Sequence, residues 1–179
     1  MKPTTKSVLD VMHVLCWIIF IGLCIKTGAI LFSVYVSLFV NTIAAKNLYL
    51  GLDLSDLKTF GREHYIRVVL LITILSALKA YLFYLVIKIF KRINFVQPFS
   101  VDMAALITKI SSVTLYIGIL ALALSLYSEW LTKKGIMLYT LSPYTGGGGE
   151  FLFFAGIIFI ISLVFKRGIE IQSENELTV

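Results

Sequence analysis

Lys79 is the residue whose type and position most strongly suggest chemistry. It is the only charged residue between Val68 and Ile87 in a stretch that is otherwise apolar or neutral. An ionisable side chain this deep in a membrane helix generally serves an ion pathway, a ligand or a sensor, and it needs a partner. No carboxylate lies at a matching depth in the other apolar stretches. The simpler alternative is that the lysine snorkels toward headgroups on the side of the chain termini, near Tyr81 and Tyr84.

Other residue types that commonly carry chemistry occur without the required spacing. His13 and Cys16 share one helical face, but two ligands leave a tetrahedral metal site half empty. The sequence has no G-x-S-x-G, H-E-x-x-H or C-x-x-C motif. The run 146–149 is all glycine, and because no Lys-Ser/Thr follows it, a flexible connector is favoured over a phosphate-binding loop. We therefore predict no catalytic, cofactor-binding or metal-binding residues and no enzymatic activity.

Small residues recur at spacings of three and four along one apolar stretch, on one side of the helix that the stretch predicts. They form a seam of Ser111, Thr114, Gly118, Ala121, Ser125 and Ser128. Small residues let membrane helices approach closely, and their hydroxyls can bond across the interface. The seam predicts close helix packing, and the alternative is a polar lumen lined by hydroxyls.

The apolar stretches that carry these residues predict an all-α protein. The chain is 59% hydrophobic with a mean hydropathy of +0.93, and a helix needs about 20 apolar residues to cross the hydrocarbon core. Within a bilayer, an isolated segment satisfies its backbone only as a helix. We predict one membrane domain over 1–179, a polytopic four-helix transmembrane bundle with both termini on the same side. The helices are expected at about 8–45, 66–92, 103–130 and 150–167.

Two features of this layout depend on charge and length. The first helix is longer than a membrane requires, so it either tilts and protrudes or breaks at 26–28, which reads Lys-Thr-Gly. The pair Lys166-Arg167 is expected to end the fourth helix and leave an acidic tail at 168–179. Cations at 88–92 and 166–167 favour cytoplasmic termini. The net charge of +6 is assigned to lipid headgroups, so we predict the lipid bilayer as a partner and no direct nucleic-acid binding.

Two stretches on the terminal side are candidate surfaces for a protein partner. Ser100 follows a proline-containing connector and is expected to be the N-cap of the third helix. The tail carries acids that an anionic membrane surface would repel, so it is either solvated or held by a protein. The candidate partner-binding residues are Phe99, Ser100, Glu170, Glu174, Glu176, Leu177 and Val179.

Four segments of the chain resemble a known family. They are Phe99-Ser100, Ala155–Ile160, Phe165–Glu170 and Glu174–Val179, and they look like the bacterial membrane proteins catalogued as domain of unknown function 2975. The resemblance implies a small inner-membrane protein of a kind often encoded beside a compact helix-turn-helix regulator. It supplies no catalytic or binding residues. It suggests a membrane-tethered modulator of a transcription factor.

Our main hypothesis is a non-enzymatic inner-membrane regulator or sensor that acts with a cytoplasmic partner such as a small helix-turn-helix transcription factor. The alternative is a small transporter or ion pathway that uses Lys79 and the hydroxyl-lined seam. A homo-oligomer is compatible with either hypothesis.

Overall fold

The protein is helical throughout the part that the structure describes. The computed structural model describes residues 3–93 and 99–176, and the side chains of 7–41, 43–93 and 99–174 within them. This part contains no strand and has the elements α1 (Pro3–Phe39), a 3-10 helix (Thr42–Lys46), α2 (Ser55–Phe60), α3 (Arg62–Arg92), α4 (Val101–Lys133), a 3-10 helix (Tyr139–Leu141), α5 (Ser142–Thr145) and α6 (Gly148–Glu176). Four of the helices are long and apolar enough to cross a membrane. The predicted class, an all-α polytopic bundle of four helices, is therefore confirmed.

The helix α1 is continuous through residues 26–28, where the sequence left a break open. Thr27 does not interrupt the helix because its hydroxyl donates to the carbonyl of Leu23 at 2.8 Å. The helix ends instead at Phe39, and Asn41 then caps the following 3-10 turn by accepting from the amide of Ile43 at 2.9 Å. A helix of 37 residues spans roughly 55 Å, so it must tilt or protrude from a ~30 Å core.

The long helices pack in chain order, each antiparallel to the next. The helix α1 packs on α3, α3 on α4, and α4 most extensively on α6. Near the start of α1, His13 stacks on Phe90 near the end of α3, with ring centroids 5.7 Å apart. Phe99, just before α4, packs edge-on against Phe165 near the end of α6 at 5.3 Å. The start of α1 and the end of α6 thus share one end of the bundle, the terminal end, and the connections 40–61 and 134–147 form the opposite loop end.

Both connections at the loop end fold back onto the bundle rather than hang free. Leu48, Leu52, Leu54 and Leu57 of the first connection are buried, as are Ile136, Leu138, Leu141 and Tyr144 of the second. The two are joined by the hydroxyl of Thr140, which donates to the carbonyl of Asp53 at 2.8 Å. The loop end is therefore a packed cap with its own apolar core.

The predicted end of the fourth helix at Lys166-Arg167 is wrong. The helix α6 runs through this pair to Glu176, so most of the expected tail is helical. A basic pair marks a membrane interface, but it does not stop a helix, since both residues are good helix formers. Arg167 also pairs with Glu170 at 2.6 Å, an i,i+3 contact that supports the helix.

Candidate functional site

Lys79 faces an aromatic ring at the start of α6. Its ammonium lies 5.2 Å from the ring centroid of Phe151, in the first turns of α6, and therefore points toward the loop end. The alternative, in which Lys79 snorkels toward the terminal side with help from Tyr81 and Tyr84, does not match this direction, and both tyrosines face other lysines. Tyr84 lies under Lys88 at 4.7 Å, and Tyr81 lies under a lysine of α4 at 5.6 Å.

Lys26 belongs to the same site, and the sequence analysis did not connect it with Lys79. Phe20 of α1 contacts Tyr84 of α3, with ring centroids 6.0 Å apart. The antiparallel register then brings Lys26, six residues further along α1, beside Lys79, five residues back along α3. The two lysines are placed together by the alignment of α1 with α3. This alignment is known from the structure and not from the sequence.

Each lysine is matched by an aromatic face and not by a carboxylate. The Lys26 ammonium lies 4.1 Å from the ring centroid of Tyr144 in α5. Cation–π contacts of this kind stabilise a partly desolvated ammonium without neutralising it. Neither lysine takes part in an ion pair within the described part of the chain. The pair therefore leaves two like charges close together and uncompensated.

A pocket of about 410 Å³ opens at the loop end, and Lys26 is the lysine that lines it. Its lining comes from α1, from the first connection and from the second connection: Lys26, Tyr49, Leu50, Gly51, Leu52, Tyr139, Thr140, Ser142, Pro143 and Tyr144. Among these described residues there is no Asp or Glu. The turn at 49–52 is held by the amide of Gly51, which donates to the side chain of Asn47 at 3.0 Å. We call this the loop-end pocket.

The glycine run does more than connect two helices. Gly147 has a φ of +84°, a left-handed conformation that side chains disfavour, and it turns the chain between α5 and α6. Gly148 lies against α4, where an added Cβ would be 2.9 Å from Cδ2 of Leu122. Because α4 continues from Leu122 to Lys133, α6 begins about three turns short of the loop end of α4. This recessed start puts Phe151 within reach of Lys79.

The small-residue seam lies largely between α4 and α6. Ser111 donates its hydroxyl to the carbonyl of Ala155 at 2.9 Å, across the interface. Gly118 allows the closest approach, because an added Cβ would meet Leu152 at 2.7 Å. Thr114 and Ala121 are buried, whereas Ser125 and Ser128 are half-buried, and Ser128 donates its hydroxyl to the backbone carbonyl of Ser125 at 3.0 Å. The hydroxyls of Ser111, Thr114 and Ser128 are thus used by helix packing and by the helix backbone.

The candidate partner-binding residues at the terminal end divide between packing and exposure. Ser100 is the N-cap of α4 and accepts from the amide of Met103 at 3.3 Å, as predicted. Phe99 packs against α6 beside Gly168, so much of its ring serves the bundle. Glu170 is exposed and paired with Arg167, and Glu174 is exposed. Leu177 and Val179 lie outside the described residues, and Glu176 is described only as the last residue of α6.

A Ser–Lys–Tyr cluster that the sequence analysis missed lies at the loop end. Lys58 donates to the backbone carbonyl of Ser37 and to its hydroxyl, the latter at 3.1 Å, and Tyr65 donates to the same hydroxyl at 2.9 Å. Ser–Lys pairs occur in hydrolases with lysine as the base. Here Ser37 is only 1% exposed and Lys58 satisfies a carbonyl in the last turn of α1, so the cluster caps a helix. Burial lowers the pKa of Lys58, and the charge of Arg62 lowers it further.

The histidines and cysteines do not converge on a metal site. In the part of the chain that the structure describes, no three His, Cys, Asp or Glu side chains are close enough to hold an ion. His13 accepts from the indole of Trp17 at 3.1 Å, and His64 bonds to Tyr127 at 2.6 Å in an aromatic cluster at the loop end. These histidines belong to aromatic groups at opposite ends of the bundle.

Comparison with known proteins assigns a family. Residues 44–179 match the family described as "Protein of unknown function (DUF2975)". No curated protein and no solved structure matches the chain. The matched span starts in the first connection and includes α3, α4 and α6. It also includes the second connection, which lines part of the loop-end pocket, and it covers well over half of the 179 residues. The chain therefore belongs to the DUF2975 family.

Proposed function

We propose that this protein is a non-enzymatic, membrane-tethered regulator or sensor of the bacterial inner membrane that acts on a cytoplasmic protein through the end of α6. The observation that carries the proposal is the continuity of α6, which begins at Gly148 and ends at Glu176. Near the terminal end, Gly168 of α6 lies against Phe99, just before α4. From Gly168 the helix continues for roughly 12 Å at 1.5 Å per residue. A shift of α6 within the bundle would therefore move this extension.

The distribution of cations supports a cytoplasmic terminal end. Positively charged residues cluster there at the C-terminal end of α3 and within α6: Lys88, Lys91, Arg92, Lys166 and Arg167. Lys91 lies over the ring of Trp17 at 5.4 Å, an arrangement typical of the membrane interface. Because short cytoplasmic segments carry an excess of Lys and Arg, we propose that the terminal end faces the cytoplasm.

The chemistry of the extension favours a basic partner. Glu170 and Glu174 are exposed, and the exposed Ile171 lies beside Glu170. An apolar residue flanked by acids fits a protein surface with an apolar centre and a basic rim better than it fits an anionic membrane. The DNA-binding face of a helix-turn-helix protein is basic, so this extension would compete with DNA for it.

We expect a helix-turn-helix protein to be encoded beside this chain in its source genome, and the proposal is tested with that protein. Full-length wild-type protein is expected to co-purify with it, and to change transcription from its target promoter. Reversing two charges, in the variant Glu170→Lys/Glu174→Lys, should reduce co-purification roughly tenfold, because both changes replace attraction by repulsion at exposed positions. High salt should weaken the wild-type complex.

A matched control is available at the other end of the bundle. Glu63 is an exposed helical glutamate paired with Arg67 at 3.3 Å, much as Glu170 is paired with Arg167. The variant Glu63→Lys changes charge in the same way and should leave co-purification and transcription unchanged. If the double variant at the terminal end behaves like Glu63→Lys, the extension does not hold this partner and the proposal is rejected.

A further inference from the structure

We propose that the loop-end pocket is a binding site for a phosphate-bearing anion, either the headgroup of a phospholipid or a soluble organic phosphate, held by Lys26 with Lys79 behind it. This inference does not depend on the proposed role of α6, because it concerns the opposite end of the bundle.

The site holds positive charge that no carboxylate balances. Lys26 and Lys79 approach from adjacent helices, and their aromatic partners, Tyr144 and Phe151, leave the charges uncompensated. A half-buried cation that is not neutralised is unfavourable, and two of them repel each other. The free energy of this arrangement falls if an anion enters between or above them. The lining of the pocket contributes no carboxylate of its own within the described residues, so the anion must come from a ligand.

The residues that line the pocket suit a phosphate group. Lysine ammonium groups bind phosphate as compact point charges, and a phosphate can carry up to two negative charges to match two cations. Tyr49, Tyr139 and Ser142 add hydroxyl groups along the same wall, and Leu50 and Pro143 add apolar surface. A volume of about 410 Å³ falls at the smaller end of ligand pockets, which run from about 300 to 1,000 Å³. A headgroup or a small organic phosphate is of suitable size.

The pocket is assembled from distant parts of the chain and has a strained turn at its rim. Three separate parts of the chain meet at the pocket, and two of them, the first and second connections, are joined by the bond from Thr140 to the Asp53 carbonyl. The turn at Leu50 and Gly51 has φ values of +44° and +85°, so it holds a conformation that leucine disfavours. Leu50 is nevertheless 87% exposed, which places it at the rim of the pocket and outside the apolar core. Backbone strain at an exposed leucine is typical of a binding surface and not of simple packing.

The experiment uses full-length protein in nanodiscs of phosphatidylcholine, with two separate arms. One arm adds phosphatidylglycerol to the nanodisc, and the number of retained lipids is measured by native mass spectrometry as the fraction of phosphatidylglycerol is varied. The other arm adds inorganic phosphate or glycerol phosphate, and binding is measured by the shift of the unfolding temperature. Saturable binding in the first arm identifies a lipid headgroup, and in the second a soluble phosphate. If no probe binds in either arm, the proposal is overturned.

The variant Lys26→Met/Lys79→Met should lower the affinity for the bound probe by at least about tenfold, because it removes the cation that lines the pocket and the cation behind it. The control Lys133→Met removes an exposed lysine at the same end but outside the pocket, and it should bind as the wild type does. Lys26→Arg keeps the charge and should retain binding. Unchanged binding by the double variant overturns the proposal.

Folding is checked in the absence of probe. The double variant removes two like charges, so its unfolding temperature without probe should equal or exceed that of the wild type. If the double variant does not fold, Lys26→Gln alone is compared with Lys26→Arg by the same criterion. Co-purification through α6 is measured on the same variants and is expected to persist, so failure of the pocket and failure of the proposed function give different results.

Discussion

The close approach of α4 and α6 predicts that Gly118→Ala destabilises the protein although alanine is the better helix former. The new Cβ would lie 2.7 Å from Cδ2 of Leu152, 2.9 Å from its Cγ and 3.0 Å from its backbone nitrogen. The side chain of Leu152 can rotate, but its backbone cannot. Since carbon atoms pack at about 3.5–4.0 Å, the helices must separate by roughly half an ångström. That separation also stretches the Ser111 bond to Ala155, now 2.9 Å.

The magnitude follows from two opposing effects. Overpacking of this kind costs about 1–3 kcal/mol, and replacing glycine by alanine within a helix gains about 1 kcal/mol. Gly156→Ala, in α6, supplies the matched control because no atom lies within 4 Å of its added Cβ. It should leave stability unchanged or raise it. The free energy of unfolding of Gly118→Ala should therefore fall about 1–3 kcal/mol below that of Gly156→Ala.

The assay is reversible unfolding in mixed micelles of a mild detergent and dodecyl sulfate, followed by intrinsic tryptophan fluorescence. Both variants are compared with the wild type under the same conditions. If Gly118→Ala is as stable as Gly156→Ala, α4 and α6 do not approach at Gly118 as closely as described, and the packing role of the seam is refuted.

Two further predictions concern the ends of helices. Ser100→Ala should lower the free energy of unfolding by about 1 kcal/mol, because the amide of Met103 loses its cap. The control Ser112→Ala replaces an exposed serine later in the same helix and should have little effect. Equal losses in the two variants would contradict the capping role. The pKa of Lys58 is lower in the folded protein than in the unfolded chain, so the unfolded chain binds more protons between the two values and stability should rise with pH toward about 10.4. Lys58→Met should reduce that rise in denaturation measured at several alkaline pH values, and an undiminished rise in the variant would assign it to other groups.

The family and the class of this protein were predictable from sequence because both are recognised from residues that lie close together in the chain. Long apolar stretches can satisfy their backbone in lipid only as helices, and length alone then assigns four crossings. The N-cap at Ser100 was predictable for the same reason, since a cap needs only a serine and the start of a helix. The end of α6 was not, because a basic pair signals an interface without breaking the helix.

The candidate pocket shows where local reasoning stops. Lys79 was recognised from its depth in one helix, but its neighbour Lys26 was treated as an isolated case, because no spacing in the sequence connects residues in α1 and α3. Only the antiparallel register brings the two lysines together, and only the recessed start of α6 brings the ring of Phe151 to Lys79. The cluster of Ser37, Lys58 and Tyr65 was missed because its members lie on three different elements.

The amino-acid sequence by itself determined that this chain is a set of membrane helices with a basic, aromatic interface and a seam able to bring two helices close. Those properties follow from the hydropathy, charge and size of neighbouring residues. The tertiary structure alone decided which helix fills the seam, where α6 begins and which cations share a pocket. These depend on distances between residues remote in sequence, which are set by the way four helices and two packed connections fit together.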